Sequence, residues 1–295
     1  MAANGKIARP LLACEITAER VLAARAAAGG ESLEAAAARA LPSPVVSPNF
    51  VGANVQNAAA LEGAVQGALG EAGAHSGDVS LVLPDGAIRA MLLDFDTLPA
   101  KQQEAAPLVR FRLKKLLPFD ADRAAISYQV QRSRTGTPIQ VVAAVAEQGV
   151  LAEYESAVRA AGFNPGVVLP SILAMLGAVD SSAPTLVVKA ETGTTAVAIV
   201  DQDEIRVLRT LETVTPAAAA PQRLAEDIYP SLVYFEDAYG AQVSRMVLGG
   251  TAATNELRAA LEQQTGLKAM ELTGAGTIPT PRAAFAGVYG ALVTS

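Results

Sequence analysis

One pattern occurs twice in this chain, and it constrains the fold more than any other feature. Leu11–Ile16 and Val21–Ala26 are short apolar runs around the polar turn Thr17-Ala-Glu-Arg20, and a Gly29-Gly30 turn leads into the Ala-rich run Glu34–Leu41. From Thr185 the order returns: Thr185–Lys189, the turn Ala190-Glu-Thr-Gly-Thr-Thr195, Ala196–Val200, the turn Asp201-Gln-Asp-Glu204, then Ile205–Leu211. Short apolar runs bounded by turn residues read as strands, so strand, turn, strand, turn, strand opens both halves. Helical segments follow each opening, which gives an α/β chain of two lobes. Alanine is so frequent in Glu34–Leu41 that periodicity leaves that run open between strand and helix.

The residues that are scarce exclude much chemistry. The 295 residues contain one histidine, His75, and one cysteine, Cys14, so a Cys/His zinc site, a Cys–His pair or a disulfide framework cannot be assembled. Cys14, in an apolar run, reads as a small buried residue, and His75, among loop residues, has nothing to relay a proton to. With 51% hydrophobic residues the chain can fill a large aliphatic core. A net charge of -6 argues against general nucleic-acid binding. No apolar run approaches the length of a membrane span. Lys6 and Arg9 precede an apolar run that Glu15 interrupts, a poor signal peptide, so the expected location is cytoplasmic.

Between the two openings, Asn57–Gly70 places Leu61, Val65 and Leu69 in one helical row, and Val79–Leu83 and Ile88–Phe95 read as strands around Pro84-Asp85-Gly86. A block of different character follows. Pro99–Leu117 is a helical stretch with Val109, Leu113 and Leu116 or Leu117 on one face, and it carries the densest cationic cluster in the chain, Arg110, Arg112, Lys114 and Lys115. It stops at Pro118-Phe119. Strands Ala125–Arg132 and Ile139–Ala146 flank the turn Thr135-Gly-Thr-Pro138, and helix Gln148–Ala161 ends at Gly162. In the second half, Pro221–Tyr239 is helical with Pro230 as a kink, Met246–Leu248 is a strand ending in Gly249-Gly250-Thr251, Thr254–Gln264 is a helix closed by Gly266, and Phe285–Val293 is a last helix. The pairs Asp94/Asp96, Asp120/Asp122 and Asp201/Asp203 lack the Gly and distal Glu of a calcium loop and read as solvated turns and strand faces.

In this order, five segments resemble the actin-like ATPases, and most closely the PilM family of type IV pilus assembly proteins. They are Ala13-Cys-Glu-Ile-Thr17 with Val21–Ala26; Val79-Ser-Leu-Val-Leu-Pro84 with Ile88–Pro99; Leu113-Lys-Lys-Leu-Leu-Pro-Phe119 with Ile126-Ser-Tyr-Gln-Val130; Thr192-Gly-Thr-Thr195; and Val247-Leu-Gly-Gly-Thr251 with the helix ending Gln264-Thr-Gly-Leu267. The resemblance implies an actin-like, duplicated ribonuclease H-like fold. Residues 1–98 would form the first lobe, 99–165 an inserted FtsA/PilM-type subdomain, and 166–295 a second lobe. The short stretch between Leu211 and Leu224 implies a reduced nucleotide-side subdomain.

The resemblance also implies a nucleotide site built from Glu15, Thr17, Lys189, Glu191, Gly193, Thr194, Thr195, Gly249, Gly250 and Thr251. Active members have an acidic-Ile-Gly pattern at both phosphate turns, where carboxylates organise Mg²⁺ and glycines admit phosphate to the backbone. Here Glu15 and Thr17 replace Asp and Gly at the first turn, and Lys189 and Glu191 replace Asp and Gly at the second. A cation cannot serve as a Mg²⁺ ligand, and a carboxylate beside a triphosphate repels it. The expectation is a degenerate site, no catalytic residue, no metal, and neither ATP nor Mg²⁺ as a working cofactor. Taken alone, Thr192–Thr195 reads equally as a hairpin turn and Gly249–Thr251 as a tight strand–helix connection.

The function implied is a cytoplasmic scaffold at the inner face of the membrane, in a type IV pilus or type II secretion platform. Its partners would be other platform proteins and the cytoplasmic N-terminal segment of a PilN-like membrane protein, bound as an extended peptide. The candidate partner-binding residues are Leu81 and Leu83 on Val79–Leu83, with Phe111, Arg112, Lys115, Leu116 and Phe119 on the segment from Phe111 to Phe119. The cationic helix face reads either as a solvated surface or as a dock for an acidic partner or anionic membrane. Two other classes stay open: a working Mg–ATP-dependent ATPase or kinase-like enzyme, and an FtsA-like filament former.

Overall fold

A computed structural model describes residues 10–30, 32–132, 138–213, 220–272, 279 and 281–293. Most of the turn Thr135–Pro138 and the Lys6/Arg9 segment lie outside the described residues. The first lobe is built on β1 (Leu12–Ile16), β2 (Arg20–Ala26), β3 (Leu33–Ala40), α1 (Ala58–Glu71) and β4 (Gly77–Leu83). Next come β5 (Ile88–Phe95), α2 (Gln102–Lys114), β6 (Ala124–Val130), β7 (Ile139–Glu147), α3 (Gln148–Ala160), β8 (Phe163–Pro170) and α4 (Ser171–Leu176). The second lobe contains β9 (Thr185–Glu191), β10 (Thr194–Asp201), β11 (Glu204–Glu212), α5 (Pro221–Tyr239), β12 (Arg245–Gly249), α6 (Asn255–Thr265), β13 (Ala269–Met270) and α7 (Ala286–Leu292).

The duplication is visible in the sheets. One runs β3-β2-β1-β4-β8 and the other β11-β10-β9-β12-β13. In both, the first three strands are antiparallel and the last two join in parallel. The Ala-rich run is a strand, β3, paired along its length with β2. A third, antiparallel sheet, β5-β7-β6, forms the insertion. Its first strand begins at Ile88, before the expected boundary at 99, and its last ends at Glu147. Residues 148–170 return to the first lobe, where β8 pairs with β4.

Strand alternation determines what each face of a sheet meets. From β1, Cys14 and Ile16 point into a core with Leu61, Val65, Tyr154 and Val158 of α1 and α3. Ala13, with Leu22 and Val82, points the other way, into a core with Phe285, Val288 and Leu292. The second half's last helix, α7, therefore covers the first lobe's sheet. Reciprocally, α4, from the end of the first half, packs Ile172 and Met175 against Val187, Ala196 and Ala198 of the second lobe. The outer face of the second sheet is closed by α5 and α6 through Leu224, Ile228, Phe235, Leu257 and Leu261.

In the insertion, Met91, Leu93 and Phe95 pack with Val109 and Leu113 of α2. Among the described residues, no helix is long and apolar enough to cross a membrane.

Candidate functional site

The ends of β1 and β9, the two segments that the resemblance matched to phosphate turns, meet between the lobes. Because Cys14 and Ile16 face α1 and α3, the residue between them, Glu15, faces the layer of α4 and α7. By the same alternation Val187 and Lys189 of β9 face that layer, and so does Glu191. Glu15, Lys189 and Glu191 are all buried, and Lys189 is wholly so. The Lys189 Nζ lies 2.8 Å from Glu15 Oε1 and 2.7 Å from Glu191 Oε1. Ser171 at the start of α4 donates its hydroxyl to Glu15 Oε1 at 2.5 Å. Thr251 donates its amide to Glu191 Oε1 at 3.2 Å and its hydroxyl to Glu191 Oε2. One ammonium thus bridges two carboxylates across the lobe boundary.

Burial and the neighbouring Glu191 outweigh the attraction of Lys189 and hold the Glu15 carboxyl above its ordinary range. Burial disfavours the charged ammonium of Lys189, but the carboxylates of Glu15 and Glu191 raise its pKa above the ordinary lysine value, so it stays charged. Glu15 Oε2 is buried without a hydrogen-bond partner. A Cβ added at Gly287 of α7 would lie 2.3 Å from that oxygen, so the helix seats directly on the carboxylate.

The other expected site residues have structural work. The hydroxyl of Thr17 donates to the Arg20 carbonyl and accepts from the Arg20 amide at 3.1 Å, tying the β1–β2 turn. Gly193 closes the β9–β10 turn at φ +83°. Thr194 lies against Gly86 of the first lobe, where an added Cβ would be 2.9 Å from its hydroxyl, and Thr195 is fully buried. A Cβ at Gly249 would lie 2.7 Å from that of Ala286, and one at Gly250 only 2.0 Å from the Ala190 carbonyl oxygen. At these two glycines the missing side chain lets α7 and β9 pack closely against the end of β12.

The residues present do not fit Mg²⁺–ATP. A buried lysine stands where the resemblance places a metal-organising carboxylate, its ammonium is held between Glu15 and Glu191, and the described residues hold no cluster of three acidic, His or Cys side chains suited to a metal. Sequence reasoning missed Ser171 and Gly287, which nothing in their local sequence marks. It also missed Asp85, whose carboxylate accepts from the Ile172 amide at 3.1 Å and whose pKa burial pushes up to about 8.

A separate, open feature lies nearby. A groove of about 710 Å³ runs between β6, β8, α4 and the β10–β11 hairpin, lined by Val130, Val142, Val168, Leu173, Leu176 and Ile205 among others. Both β6 and β8 are outermost strands of their sheets, and such edges offer unpaired backbone donors and acceptors. Gln131 spans one end, donating to the Ile205 carbonyl at 2.9 Å and accepting from its amide at 2.6 Å.

The expected partner residues are elsewhere. Leu81 and Leu83 are enclosed in the first-lobe core, because β4 is an inner strand covered on both faces, so they cannot line a groove. Phe111, Arg112, Lys115 and Leu116 are exposed on and just beyond α2, on the face of the three-stranded sheet away from this groove. Phe119 is half-buried, edge-on to Phe50.

No protein-family model matches the sequence, and no curated protein does. Among solved structures, a chain of the PilM–PilN type IV pilus biogenesis complex superposes with a TM-score of 0.81 at 18% identity, covering 96% of this chain and 98% of that one. The fold is actin-like, in its PilM-like form. The ethanolamine utilization protein EutJ from Carboxydothermus hydrogenoformans matches this actin-like fold more distantly, with a TM-score of 0.56 at 10% identity over 96% of this chain and 89% of that one. A Bacteroides thetaiotaomicron protein with an actin-like ATPase fold and unknown function gives 0.51 at 9% identity, over 88% and 89%.

Proposed function

We propose that this actin-like chain is a nucleotide-independent scaffold that holds an extended segment of a partner protein. The reading rests on the buried Glu15–Lys189–Glu191 triad. It fills the position between the phosphate turns with protein charge, and opening it would leave a desolvated ion without its counter-ion, a loss of several kcal/mol. The groove between β6 and β8 then supplies the binding surface: an extended peptide adds a strand to a free edge through main-chain hydrogen bonds, while apolar pockets select its side chains. Likeness in fold to a chain of the PilM–PilN complex suggests the partner class, the cytoplasmic N-terminal segment of a PilN-like membrane protein. The corresponding location is the inner face of a membrane, in a pilus or secretion platform.

Calorimetric titration tests both halves. Mg²⁺–ATP should give no binding heat and no thermal stabilisation, whereas a saturating ligand at 100 times its dissociation constant would add about 2.7 kcal/mol. A synthetic peptide from the cytoplasmic end of a PilN-like protein should bind, and Val130→Glu should weaken it by about tenfold or more, or about 1.4 kcal/mol. Tight ATP binding would put the ATPase reading first. Peptide affinity untouched by Val130→Glu would remove the groove from the scheme.

A further inference from the structure

The chain carries a net charge of -6, yet four of its cations, Arg110, Arg112, Lys114 and Lys115, fall within six residues at the end of α2. Arg110 folds back to donate to the Ala121 carbonyl. The other three are exposed, and among the described residues none of them forms a salt bridge. Large apolar side chains stand among them: Phe111 is 64% exposed, Leu116 55%, and Leu108 is exposed as well. The buried side of the helix is Ala105, Val109 and Leu113. Phe111 follows Val109 by two residues, so it lies roughly 200° around the helix axis, on the outer side. Leu108 precedes it by three residues, and Lys114 and Lys115 follow by three and four, so all of them share that face. The Lys115 ammonium sits 5.6 Å over the Phe111 ring. The acidic side chains nearest in sequence are Glu104, paired with Lys101 at 3.2 Å, and Asp120 and Asp122 beyond Pro118.

Exposed apolar surface rimmed by charge marks an interaction site, and the chemistry of this one selects its partner. Lysine and arginine carry their charge on long aliphatic stems. An ammonium can therefore reach a phosphate at a membrane surface while an apolar side chain beside it enters the edge of the acyl region. The face is the convex outer side of a helix from which ring and ammonium project, a shape suited to a soft planar surface. We infer that the outer face of α2 docks on an anionic lipid bilayer. Phe111, Leu108 and Leu116 insert at the interface, and Arg112, Lys114 and Lys115 engage lipid phosphates. Each cation near such a surface strengthens binding about fivefold. Insertion of the apolar side chains is the second signal that makes the docking more than a screened charge contact. The rest of the chain is acidic and is repelled by the same surface, which turns the insertion toward the membrane. The docking needs neither the peptide groove, which lies on the other face of the three-stranded sheet, nor a partner protein.

Cosedimentation of the full chain with lipid vesicles tests it. The wild type should pellet with vesicles that contain phosphatidylglycerol, stay in solution with pure phosphatidylcholine, and be released by salt. R112Q/K114Q/K115Q should weaken binding about 100-fold, at about fivefold for each cation, and Phe111→Ser about tenfold. Arg223→Gln removes an exposed cation from α5 and should leave binding unchanged. All these side chains are exposed, and an unchanged thermal midpoint establishes that each variant is folded. The chain has no tryptophan, so Phe111→Trp supplies a single reporter. Its emission should shift to the blue on anionic vesicles and be quenched by brominated acyl chains. A wild type that does not pellet with anionic vesicles, binding that survives the triple substitution, or an indole emission that stays unshifted would overturn the proposal. Retention on immobilised polyglutamate without vesicle binding would overturn it in favour of an acidic protein partner.

Discussion

At the scale of single residues, Lys189 decides the chemistry of the cleft. The sequence marks it as anomalous for a phosphate turn, along with Glu191, yet read locally the pair suggests only lost metal ligation and added repulsion. Its compensation by Glu15 becomes visible when β1 and β9 are brought face to face, because Glu15 lies on a different lobe. A buried ammonium shared by two carboxylates is costly to break from one side. Lys189→Met should destabilise the protein by about 3–5 kcal/mol, by leaving two carboxyls buried without a cation. Combining it with Glu15→Gln and Glu191→Gln should recover a large part of that loss, a non-additivity that denaturant unfolding of the single and triple variants would measure. Additive losses would mean that the three side chains do not act as a unit.

At the scale of elements, legibility followed local signals. Helices with a cap and a clear apolar row were readable to within a residue or two: α1 starts after Asn57, whose side chain accepts from the Ala60 amide at 3.0 Å, and α5 spans Pro221–Tyr239 as read. Asn57→Ala should therefore cost about 1 kcal/mol, read as a lower urea midpoint with an unchanged slope; no shift would mean that the cap is fully replaced by water. The Ala-rich β3 was undecidable because its state comes from pairing with β2 and not from its own side chains. The elements within 163–176 carry no local signal of their own. Asn164-Pro165-Gly166 looks like a loop but lies within β8, an edge strand that tolerates proline, and α4 is a single short helix without a side-chain cap. The insertion's helix was found but its limits were too wide, since Pro118 ends the apolar pattern later than Lys114 ends the helix. The groove was invisible for a related reason: it is defined by two sheet edges distant in sequence.

On the scale of the whole molecule, the repeated opening gave the two lobes correctly, because duplicated strand order survives even where motif residues have changed. What it could not give is how the halves interlock. Asp85 sits at one such junction, buried against the start of α4, with its carboxyl raised from the ordinary 3.8 to about 8. A carboxyl raised on folding favours the native state below its unfolded pKa, and that stability is lost as pH rises through the folded value. Wild-type stability relative to Asp85→Asn should thus decline between about pH 4 and pH 8, the amide having no proton to lose. Urea midpoints at a series of pH values would show this, and parallel curves would place the titration elsewhere. The exchange of α4 and α7 between lobes, with one ammonium serving a carboxylate from each, has a thermodynamic corollary. Melting the first lobe should strip α7 of its sheet and Lys189 of Glu15 together, so a chain built by repetition is expected to unfold as one cooperative unit, in a single transition.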